Sequence, residues 1–392
     1  MMRTQVAIIG AGPAGLMLSH LLHLCGIESV VLENRDRAYV EKRQRAGVLE
    51  QPTVDLLRAS GVGERLDREG LVHHGLFLQF AGSRHRIDMS DLTDGQAITV
   101  YGQHEVVKDL IAARLAAGGQ IFFEVQNVAL HDITGTQPRV QFRHDGETHQ
   151  LACDVIAGCD GSHGVSRRSI PDGMLTIYQR TYPIGWLGIL AAVAPSTHEL
   201  IYAHHTRGFA LHSMRSPSLS RLYVQCDPAD DLADWPDQRI WAELHARLET
   251  ADGWKLEEGP IVERGITGMR SYVVSPMQYG RLFLAGDVAH VVPPTGAKGM
   301  NLAVADVRVL AEALAAWYDT GTTRLLDTYS DTCLRRVWRA EHFSWWMTSL
   351  LHRFPGDDSF GEQLQLSQLR YVISSRAAAT SLAENYVGLE RV

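Results

Sequence analysis

The glycine-rich segment near the N-terminus constrains the fold more than any other feature. Residues 10–15 read Gly-Ala-Gly-Pro-Ala-Gly and join a strand-like pattern at residues 5–9 to a helical pattern at residues 13–25. A second strand-like pattern, residues 29–33, ends in a carboxylate. Such glycines allow a tight turn and close backbone approach to a pyrophosphate, which the N–H groups of the following helix bind. The pattern predicts a βαβ unit that binds a dinucleotide through Gly10, Gly12, Gly15 and Glu33.

The βαβ unit does not by itself identify the dinucleotide. The carboxylate of Glu33 suits a ribose hydroxyl of either FAD or NAD. The chain contains one Gly-x-Gly-x-x-Gly pattern. If two dinucleotides bind, we expect the second to bind transiently at a surface, without a domain of its own.

Two further acid–glycine turns follow apolar strand patterns. Asp160-Gly161 comes after residues 154–158, and alone it fits an ordinary turn equally well. Gly286-Asp287 comes after residues 281–285 and precedes a run of turn-forming residues, 293–301. A strand that ends in Gly-Asp shortly before a helix offers backbone donors and a carboxylate to another part of an extended ligand.

Composition excludes several classes of function. The net charge of −8 gives no basic field for nucleic acid or an anionic membrane surface, so an anionic substrate must be bound by local arginines. The 18 histidines show no metal-binding spacing, and no metal is predicted. The five cysteines are scattered and odd in number, which indicates free thiols in a reducing compartment.

No membrane segment is predicted. The longest apolar run, residues 184–194, is too short to cross a bilayer. The apolar stretch after Arg3 is not interpreted as a secretion signal, because cleavage there would destroy the glycine motif. We therefore expect a cytoplasmic protein.

Strand and helix patterns along the rest of the chain predict a mixed α/β fold. Alternating runs on either side of residues 81–83 predict a hairpin. Between residues 180 and 270 strand-like runs dominate, broken by one helical pattern at residues 238–248, which predicts an inserted and mostly antiparallel sheet. Helical patterns then dominate the C-terminal part, at residues 297–317, 324–351, 362–373 and 377–383.

The three turn motifs together make the chain resemble the class A flavoprotein hydroxylases, in which all three contact FAD. Within that family the similarity is strongest to members that hydroxylate 4-hydroxybenzoate. It extends over nearly the whole chain and rests on residues 43–51 (Arg-Gln-Arg-Ala-Gly-Val-Leu-Glu-Gln), 198–202 (His-Glu-Leu-Ile-Tyr), 207–211 (Arg-Gly-Phe-Ala-Leu), 293–301 (Pro-Pro-Thr-Gly-Ala-Lys-Gly-Met-Asn), 343–348 (Phe-Ser-Trp-Trp-Met-Thr) and 384–388 (Glu-Asn-Tyr-Val-Gly).

The resemblance implies four regions and a homodimer. Residues 1–180 form a Rossmann-like FAD-binding domain with a parallel sheet, whose 71–95 hairpin lies near the substrate side. Residues 181–270 form the substrate-binding β-sheet domain, and residues 271–350 return to the FAD-binding domain. Residues 351–392 form a helical interface region.

The resemblance also implies the ligand contacts. FAD contacts beyond the first glycine motif and Glu33 are Arg43, Arg45, Gln103, Asp160, Arg221, Asp287, Met300 and Asn301, with the last two near the isoalloxazine ring and Arg221 steering a mobile flavin. Substrate contacts are Tyr202, Ser213, Arg215, Tyr223, Pro294 and Tyr386. Arginine with hydroxyl donors on neighbouring strands suits a carboxylate, although Arg215 alone would fit a surface ion pair.

The implied reaction is hydroxylation of 4-hydroxybenzoate to 3,4-dihydroxybenzoate with NAD(P)H and O2, through a flavin C4a-hydroperoxide. The flavin carries the oxygen chemistry, and the protein supplies placement and electrostatics. Tyr202 receives the phenolic proton and passes it through Tyr386 towards His73, with Pro294 as a further catalytic position. Without the resemblance, both tyrosines fit core aromatics and His73 fits a loop histidine.

The expected nicotinamide contacts are Arg35, Arg37, Tyr39, His163 and Arg270. Family members that prefer NADPH tend to have a basic residue directly after the acidic one, where this chain has Asn34. Asp36 would repel a 2′-phosphate, but the neighbouring basic residues suit it. The expectation is NADPH, with NADH as a second reductant.

Two alternatives stay open at the level of sequence. One is a related hydroxylase of 3-hydroxybenzoate or 3,4-dihydroxybenzoate, against which Tyr202, Arg215 and Tyr386 favour the para-hydroxy acid. The other is a non-catalytic FAD-binding protein, which would have no need of the two tyrosines.

Overall fold

The computed structural model describes residues 2–43 and 47–388. In chain order the strands are β1 (Met2–Arg3), β2 (Val6–Ile9), β3 (Ser29–Leu32), β4 (Val48–Leu49), β5 (Leu71–His73), β6 (Gly75–Phe80), β7 (Ser83–Asp88), β8 (Ile98–Val100), β9 (Gln120–Phe122), β10 (Gln126–His131), β11 (Arg139–His144), β12 (Glu147–Ala152), β13 (Val155–Gly158), β14 (Thr176–Ala191), β15 (Ile201–Ala203), β16 (Ala210–Ser216), β17 (Leu219–Cys226), β18 (Ile261–Ser275), β19 (Gln278–Tyr279), β20 (Leu282–Leu284) and β21 (His290–Val291).

The helices are α1 (Pro13–Leu24), α2 (Arg37–Lys42), α3 (Gln51–Ala59), α4 (Glu64–Glu69), α5 (Met89–Leu92), α6 (Gln103–Ala116), α7 (Asp237–Leu248), α8 (Gly299–Thr320), α9 (Arg324–Asp327), α10 (Tyr329–Leu351), α11 (Ser359–Ser374) and α12 (Arg376–Val387). Single 3-10 turns lie at Arg167–Ser169, Leu232–Asp234, Gly286–Val288 and Pro294–Gly296. Within the described ranges, no helix is both long enough and apolar enough to span a bilayer.

A six-stranded sheet, in the order β19-β20-β13-β2-β3-β9, forms the nucleotide-binding layer. Five of its strands, β20, β13, β2, β3 and β9, are parallel, as the βαβ pattern predicts. Strands β2, β3 and β13 are buried along their whole length, and Val140, Phe142 and Leu151 of the four-stranded sheet β1-β12-β11-β10 belong to the same core. The main apolar core lies between this sheet, α1 and α8.

An eight-stranded sheet, in the order β21-β18-β14-β17-β16-β15-β6-β7, forms the second layer. Its neighbours are antiparallel except for β15 and β6, which run parallel. One face packs on α10, α11 and α12, and the other on α7. The predicted hairpin is confirmed as β6 and β7, which pair from Gly75 with Asp88 to Phe80 with Ser83.

The mixed α/β fold class is confirmed, although α3, α6, β12 and several shorter elements had no predicted counterpart. Strand β18 had no predicted counterpart, and the single helix predicted at residues 324–351 is broken at Thr328. The antiparallel sheet also extends beyond residues 181–270, because β14 begins at Thr176 and β18 ends at Ser275. The division into four regions stays a prediction.

Candidate active site

The dinucleotide motifs meet at one edge of the parallel sheet. Strand β2 leads into Gly10, β3 into Glu33, β13 into Asp160 and β20 into the Gly286 turn. Because these four strands are adjacent and parallel, their carboxyl ends lie side by side. Three motifs separated by more than a hundred residues of sequence therefore form one surface.

Close backbone contacts explain two glycines of the first motif. Gly10 has a φ of +105°, and a Cβ there would lie 2.5 Å from the carbonyl oxygen of Cys159. A Cβ on Gly15 would lie 1.9 Å from the carbonyl oxygen of Gly10. A Cβ on Gly12, in contrast, would have no atom of the described chain within 4 Å. Gly12 therefore borders open space at the N-terminus of α1, where a pyrophosphate fits.

The carboxylate of Glu33 joins this turn to the end of β3. Its Oε2 accepts the N–H of Ala11 at 2.8 Å, and its Oε1 accepts the N–H of Arg35 at 2.9 Å. Each oxygen keeps a further lone pair, so the carboxylate can also accept from a ribose hydroxyl. Glu33 is thus fixed beside the pyrophosphate position.

Asp160 is half-buried, and one of its oxygens is buried and unsatisfied. Its Oδ2 accepts the N–H of Ser166 at 2.9 Å, while Oδ1 has no hydrogen-bond partner among the described residues. Burial raises the pKa of this carboxyl group above its ordinary value. A buried acceptor without a donor is costly, and a hydroxyl-bearing ligand would satisfy it.

The third motif is held by a buried, hydrogen-bonded pair of histidine and aspartate side chains. Asp306 on α8 accepts the N–H of Gly286 at 2.9 Å and the Nε2–H of His290 at 2.6 Å. Burial opposes the charge on His290, but the carboxylate of Asp306 outweighs it and raises the histidine's pKa. The turn that carries Asp287 is therefore fixed from both sides.

The predicted substrate residues lie on one face of the antiparallel sheet. Tyr202 is paired with Leu211, which is paired with Tyr223, so Tyr202 and Tyr223 share a face. Ser213 and Arg221 are also paired and lie two residues further along the same strands, on the same face. The period-2 alternation of two adjacent strands thus brings these side chains together.

Two guanidinium groups surround the hydroxyl of Tyr223. Arg221 Nε donates to it at 3.2 Å, and Arg215 Nη2 lies 3.5 Å away. Burial alone would raise the pKa of Tyr223, but the two positive charges outweigh it and lower that pKa. The pocket is therefore positively charged and suits a carboxylate.

Two glycines leave room for these arginines. A Cβ on Gly47 would lie 3.0 Å from the guanidinium carbon of Arg215, and a Cβ on Gly188 would lie 2.9 Å from Nη2 of Arg221. Neither glycine has a left-handed backbone conformation, so the room needed by the neighbouring guanidinium groups explains why glycine occurs at both positions.

Tyr202 and Tyr386 form a buried pair of hydroxyl groups. Their oxygens are 2.5 Å apart, and the side chains are 2% and 1% exposed. Burial raises the pKa of both phenols, so both stay protonated at neutral pH. A protonated hydroxyl both donates and accepts, which allows the pair to pass a proton along.

A short segment, Gly47–Glu50, connects the two binding regions. Gly47 borders Arg215, while Asn301 Nδ2 donates to the Val48 carbonyl at 3.0 Å and Asn301 Oδ1 accepts the N–H of Glu50 at 2.9 Å. Asn301 lies in the first turn of α8, next to the buried Met300. The predicted flavin-side and substrate-side residues are thus adjacent.

Lys298 is a buried residue that the sequence did not single out. Its ammonium group pairs with the carboxylate of Glu50 and donates to the backbone carbonyls of Asn385 and Tyr386. Burial lowers the pKa of Lys298, and Glu50 partly offsets this. The only sequence signal for this residue was the presence of a single lysine in the glycine-rich run 293–301.

His73 is buried, with 1% exposure, and neither ring nitrogen has a hydrogen-bond partner among the described residues. Burial lowers its pKa to about 4. The structure gives no direct bond between His73 and Tyr386, so its role as a proton outlet stays a prediction. Pro294 is exposed in its 3-10 turn, and its carbonyl accepts the N–H of Ala297.

The expected nicotinamide contacts are all exposed. The guanidinium groups of Arg35 and Arg43 lie 5.1 and 5.7 Å from the ring centroid of Tyr39, while Arg37 is paired with Glu41 at 2.6 Å. His163 follows β13, and Arg270 lies within β18. Gln103 begins α6 and is half-buried, and Arg45 lies outside the described residues.

Comparison with known proteins supports this arrangement. A family model described as an FAD binding domain matches residues 3–344. The chain is 50% identical to p-hydroxybenzoate hydroxylase of Acinetobacter baylyi over 388 residues, which is 99% of this chain and 96% of the relative. The chain belongs to the class A flavoprotein hydroxylases. The predicted family is confirmed, and FAD is its cofactor.

A more distant relative and a solved structure are also similar to this chain. The 3-(3-hydroxy-phenyl)propionate/3-hydroxycinnamic acid hydroxylase of Mycolicibacterium gilvum is 26% identical over 347 residues, which is 83% of this chain and 56% of the relative. The crystal structure of p-nitrophenol 4-monooxygenase from Pseudomonas putida DLL-E4 superposes with a TM-score of 0.85 at 19% identity, over 100% of both chains. At that identity the likeness concerns the fold alone.

The residues at the edge of the parallel sheet fit FAD. The open space at Gly12 suits a pyrophosphate, Glu33 has lone pairs for a ribose, and the orphaned oxygen of Asp160 suits a further hydroxyl donor. These three observations are independent of the comparisons and agree with them.

Proposed function

We propose that this protein hydroxylates 4-hydroxybenzoate to 3,4-dihydroxybenzoate, with FAD as cofactor and NAD(P)H and O2 as co-substrates. The observation that carries the proposal is the single sheet face that combines a positively charged pocket at Arg215 with the hydroxyl pair of Tyr202 and Tyr386. A para-hydroxy acid has an anion at one end and a phenol at the other. The named activity of the Acinetobacter relative supports this substrate.

The carboxylate end is bound by charge and hydroxyl groups. Arg215 offers a guanidinium fork, and Ser213 and Tyr223 offer hydroxyl donors from the adjacent strands. Hydrogen bonds between charged groups are about twice as strong as neutral ones. The ring is thereby oriented with its phenol towards Tyr202.

The phenol end must become more nucleophilic. A phenol with a pKa of about 10 contains little phenolate at neutral pH, and a phenolate is the stronger carbon nucleophile. Tyr202 takes the phenolic proton as it passes its own to Tyr386, because their oxygens are already within bonding distance. The neutral imidazole of His73 is available as the outlet beyond them.

When bound, FAD supplies the reduction of O2 and the transfer of one oxygen atom to the ring. Gly12, Glu33, Asp160 and Asp287 would hold its nucleotide end, and Met300 and Asn301 at the start of α8 would contact its ring system. The buried ion pair of Lys298 with Glu50 lies directly before the start of α8. Gln103, Arg43 and Arg45 would complete the FAD contacts, and Arg221 would steer the flavin.

NADPH binds at the exposed surface, and NADH is also accepted. Arg35 and Arg43 on either side of Tyr39 form a cationic and aromatic cluster that suits an adenosine phosphate. The carboxylate of Asp36 is engaged by the N–H of Tyr39 as a helix cap, which reduces its repulsion of a 2′-phosphate. His163 and Arg270 bind the pyrophosphate.

The protein acts in the cytoplasm as a homodimer. Phe360, Leu364 and Tyr371 are exposed on the side of α11 opposite the buried Leu369 and Val372. A second copy would cover this apolar strip. Light scattering after size exclusion should give twice the chain mass for the wild type and a lower mass for Leu364→Glu, and a monomeric wild type would reject the dimer.

The decisive experiment compares NADPH and NADH oxidation with and without 4-hydroxybenzoate and identifies the product. We expect substrate-stimulated oxidation of NADPH and formation of 3,4-dihydroxybenzoate. Stimulation by 3-hydroxybenzoate or 3,4-dihydroxybenzoate instead would assign a related hydroxylase. FAD-containing protein that hydroxylates none of these acids would reject the proposal.

A further inference from the structure

Trp186 lies on the substrate face, directly behind Tyr223. Gly188 is paired with Tyr223, and Trp186 is two residues away on the same strand and the same face. The ring centroids of Trp186 and Tyr223 are 4.8 Å apart. The indole therefore forms a wall against which the hydroxyl-bearing ring of Tyr223 rests.

The indole is fixed by a histidine at the end of α10. Trp186 Nε1–H donates to Nε2 of His352 at 2.7 Å, and Nδ1–H of His352 donates to the Thr348 carbonyl at 2.9 Å. Both bonds require the neutral imidazole, with its proton on Nδ1. Burial lowers the pKa of His352 to about 3, so this form persists over the whole working range of pH.

The same histidine also contacts the wall of the proton path. Its ring stacks on Phe209, with centroids 4.4 Å apart, and Phe209 in turn lies beside Tyr202 at 6.1 Å and Trp186 at 5.1 Å. His352 is thus at the centre of an aromatic cluster that touches both Tyr202 and Tyr223.

The backbone partner of His352 leads to the other side of the site. The hydroxyl groups of Thr348 and Thr295 are 2.9 Å apart, and Thr295 lies in the Pro294–Gly296 turn. The end of α10 is therefore anchored to the turn that contains Pro294, one of the predicted substrate contacts.

We infer that His352 is a positioning residue for the aromatic acid, because it fixes Trp186 and thereby holds Tyr223 beside Arg215. It does not touch the reacting atoms. The inference rests on the proposed function, since it concerns the affinity and orientation of the same substrate. If Tyr223 were not held in place, it would bind the substrate carboxylate less tightly, and the ring of the substrate could tilt.

The test uses the FAD-loaded protein and three variants. His352→Phe keeps an aromatic ring but removes the acceptor, Trp186→Phe removes the donor, and the third combines both. We expect each single variant to raise the dissociation constant of 4-hydroxybenzoate about tenfold, since a lost buried hydrogen bond typically costs that much. The double variant should be no weaker than either single one, because both break the same bond.

Further measurements separate positioning from a general structural role. KM should rise while the maximal rate of substrate-stimulated NADPH oxidation changes less than about twofold, and the product formed per NADPH should fall. His352→Gln, whose amide can accept from the indole and donate to Thr348, should restore most of the affinity. The indole N–H resonance that disappears in Trp186→Phe should shift in His352→Phe.

A matched control is Trp235→Phe. This indole is also buried and also donates a hydrogen bond, to Asp230 at 3.1 Å, but it belongs to the core on the other face of the sheet. We expect its variant to bind 4-hydroxybenzoate like the wild type.

Equal affinity in the wild type and Trp186→Phe would overturn the inference, and so would an equal loss of affinity in the Trp235→Phe control. If His352→Phe fails to fold, Trp186→Phe alone decides the question in the same way. A wild type that does not bind 4-hydroxybenzoate at all would instead reject the proposed function, so the two failures are distinguishable.

Discussion

The nucleotide edge of the parallel sheet and the substrate face of the antiparallel sheet bind their ligands by different means. At the nucleotide edge, backbone groups and single acidic residues follow the ends of buried strands, and each motif is local in sequence. On the substrate face, side chains from distant strands and helices meet, and Tyr202 and Tyr386 are 184 positions apart. Ligand binding at the nucleotide edge depends on the room that glycines leave beside the backbone. Ligand binding on the substrate face depends on the register of the strands.

Substitutions in the glycine turn should have the largest effects. Gly15→Ala places a Cβ 1.9 Å from a backbone oxygen, so we expect FAD binding to be lost and thermal stability to fall. An alanine Cβ at position 12 would meet no atom of the described residues, so Gly12→Ala should fold normally and still lose most of its FAD affinity. Flavin absorbance and melting temperature of the purified variants measure both effects. Normal FAD content in Gly12→Ala would show that the pyrophosphate lies elsewhere.

Tyr202→Phe tests the substrate face. It removes the hydroxyl partner of Tyr386 but keeps the ring, so FAD content and substrate binding should remain. Product formation should fall about 100-fold, a typical loss when a proton-transferring group is removed. Chromatographic yield of 3,4-dihydroxybenzoate per NADPH measures it. An unchanged yield would reject the proton path.

Arg215→Gln tests the anion end of the same face. We expect KM for 4-hydroxybenzoate to rise about 30-fold, because hydrogen bonds to charged groups contribute about 1.5 to 3 kcal/mol. FAD affinity should not change. Arg264→Gln, at a half-exposed arginine paired with Asp237, is the control and should leave KM as it is. If both variants raised KM equally, the effect would be one of net charge.

Acid sensitivity should be concentrated in the antiparallel region. Burial lowers the pKa of His212 to about 4, whereas the unfolded chain titrates near 6.5, so the unfolded state binds more protons between these values. Stability is therefore retained above about pH 6.5 and decreases as the pH falls towards 4, by about 1 to 2 kcal/mol at pH 5 from this residue.

The urea midpoint at pH 7.5 and pH 5.0 measures this loss. His212→Gln should reduce the difference between the two midpoints, and His23→Gln, at an exposed histidine, should not. An identical pH dependence in His212→Gln and the wild type would exclude this histidine as the cause.

Gly47→Ala should have the smallest effect. Its Cβ would lie 3.0 Å from the flexible end of Arg215, which can shift by a few tenths of an ångström. We expect KM to rise about threefold with unchanged FAD content, since a displaced guanidinium keeps part of its hydrogen bonding. Steady-state kinetics measure it, and a loss of FAD instead would place this segment in the nucleotide region.

The nucleotide region could be predicted from sequence because its signals are local. Strand, glycine turn, helix and acidic residue occur within the first 33 positions, and each has a direct physical meaning. The Asp160 and Gly286 turns were equally visible. Their meeting at one edge followed only from the order of the parallel strands.

The substrate region was less accessible to such reasoning. Strand β18 lacks apolar alternation, since much of it is exposed and it contains Gly265 and Gly268, and it is formed by pairing with β14 along most of its length. The break at Thr328 has no proline or glycine to signal it. Tyr202, Arg215 and Tyr386 were found through family resemblance, because no local pattern distinguishes them from core aromatics and surface charges.

His352, Trp186 and Lys298 were missed for a similar reason. Their importance depends on hydrogen bonds to groups far away in sequence, such as the 166 positions between Trp186 and His352. A single polar atom among apolar neighbours is a weak signal until its hydrogen-bond partner is known.

The four residues from Gly47 to Glu50 give the two ligands a common support. One end of this segment limits the space of the substrate arginine, and the other is bonded through its backbone to Asn301 at the start of the flavin-side helix. If the bound aromatic acid changes the protein's affinity for FAD by some factor, bound FAD must change the affinity for the acid by the same factor. Loss of FAD should therefore lower the affinity for the aromatic acid even though Arg215 is intact.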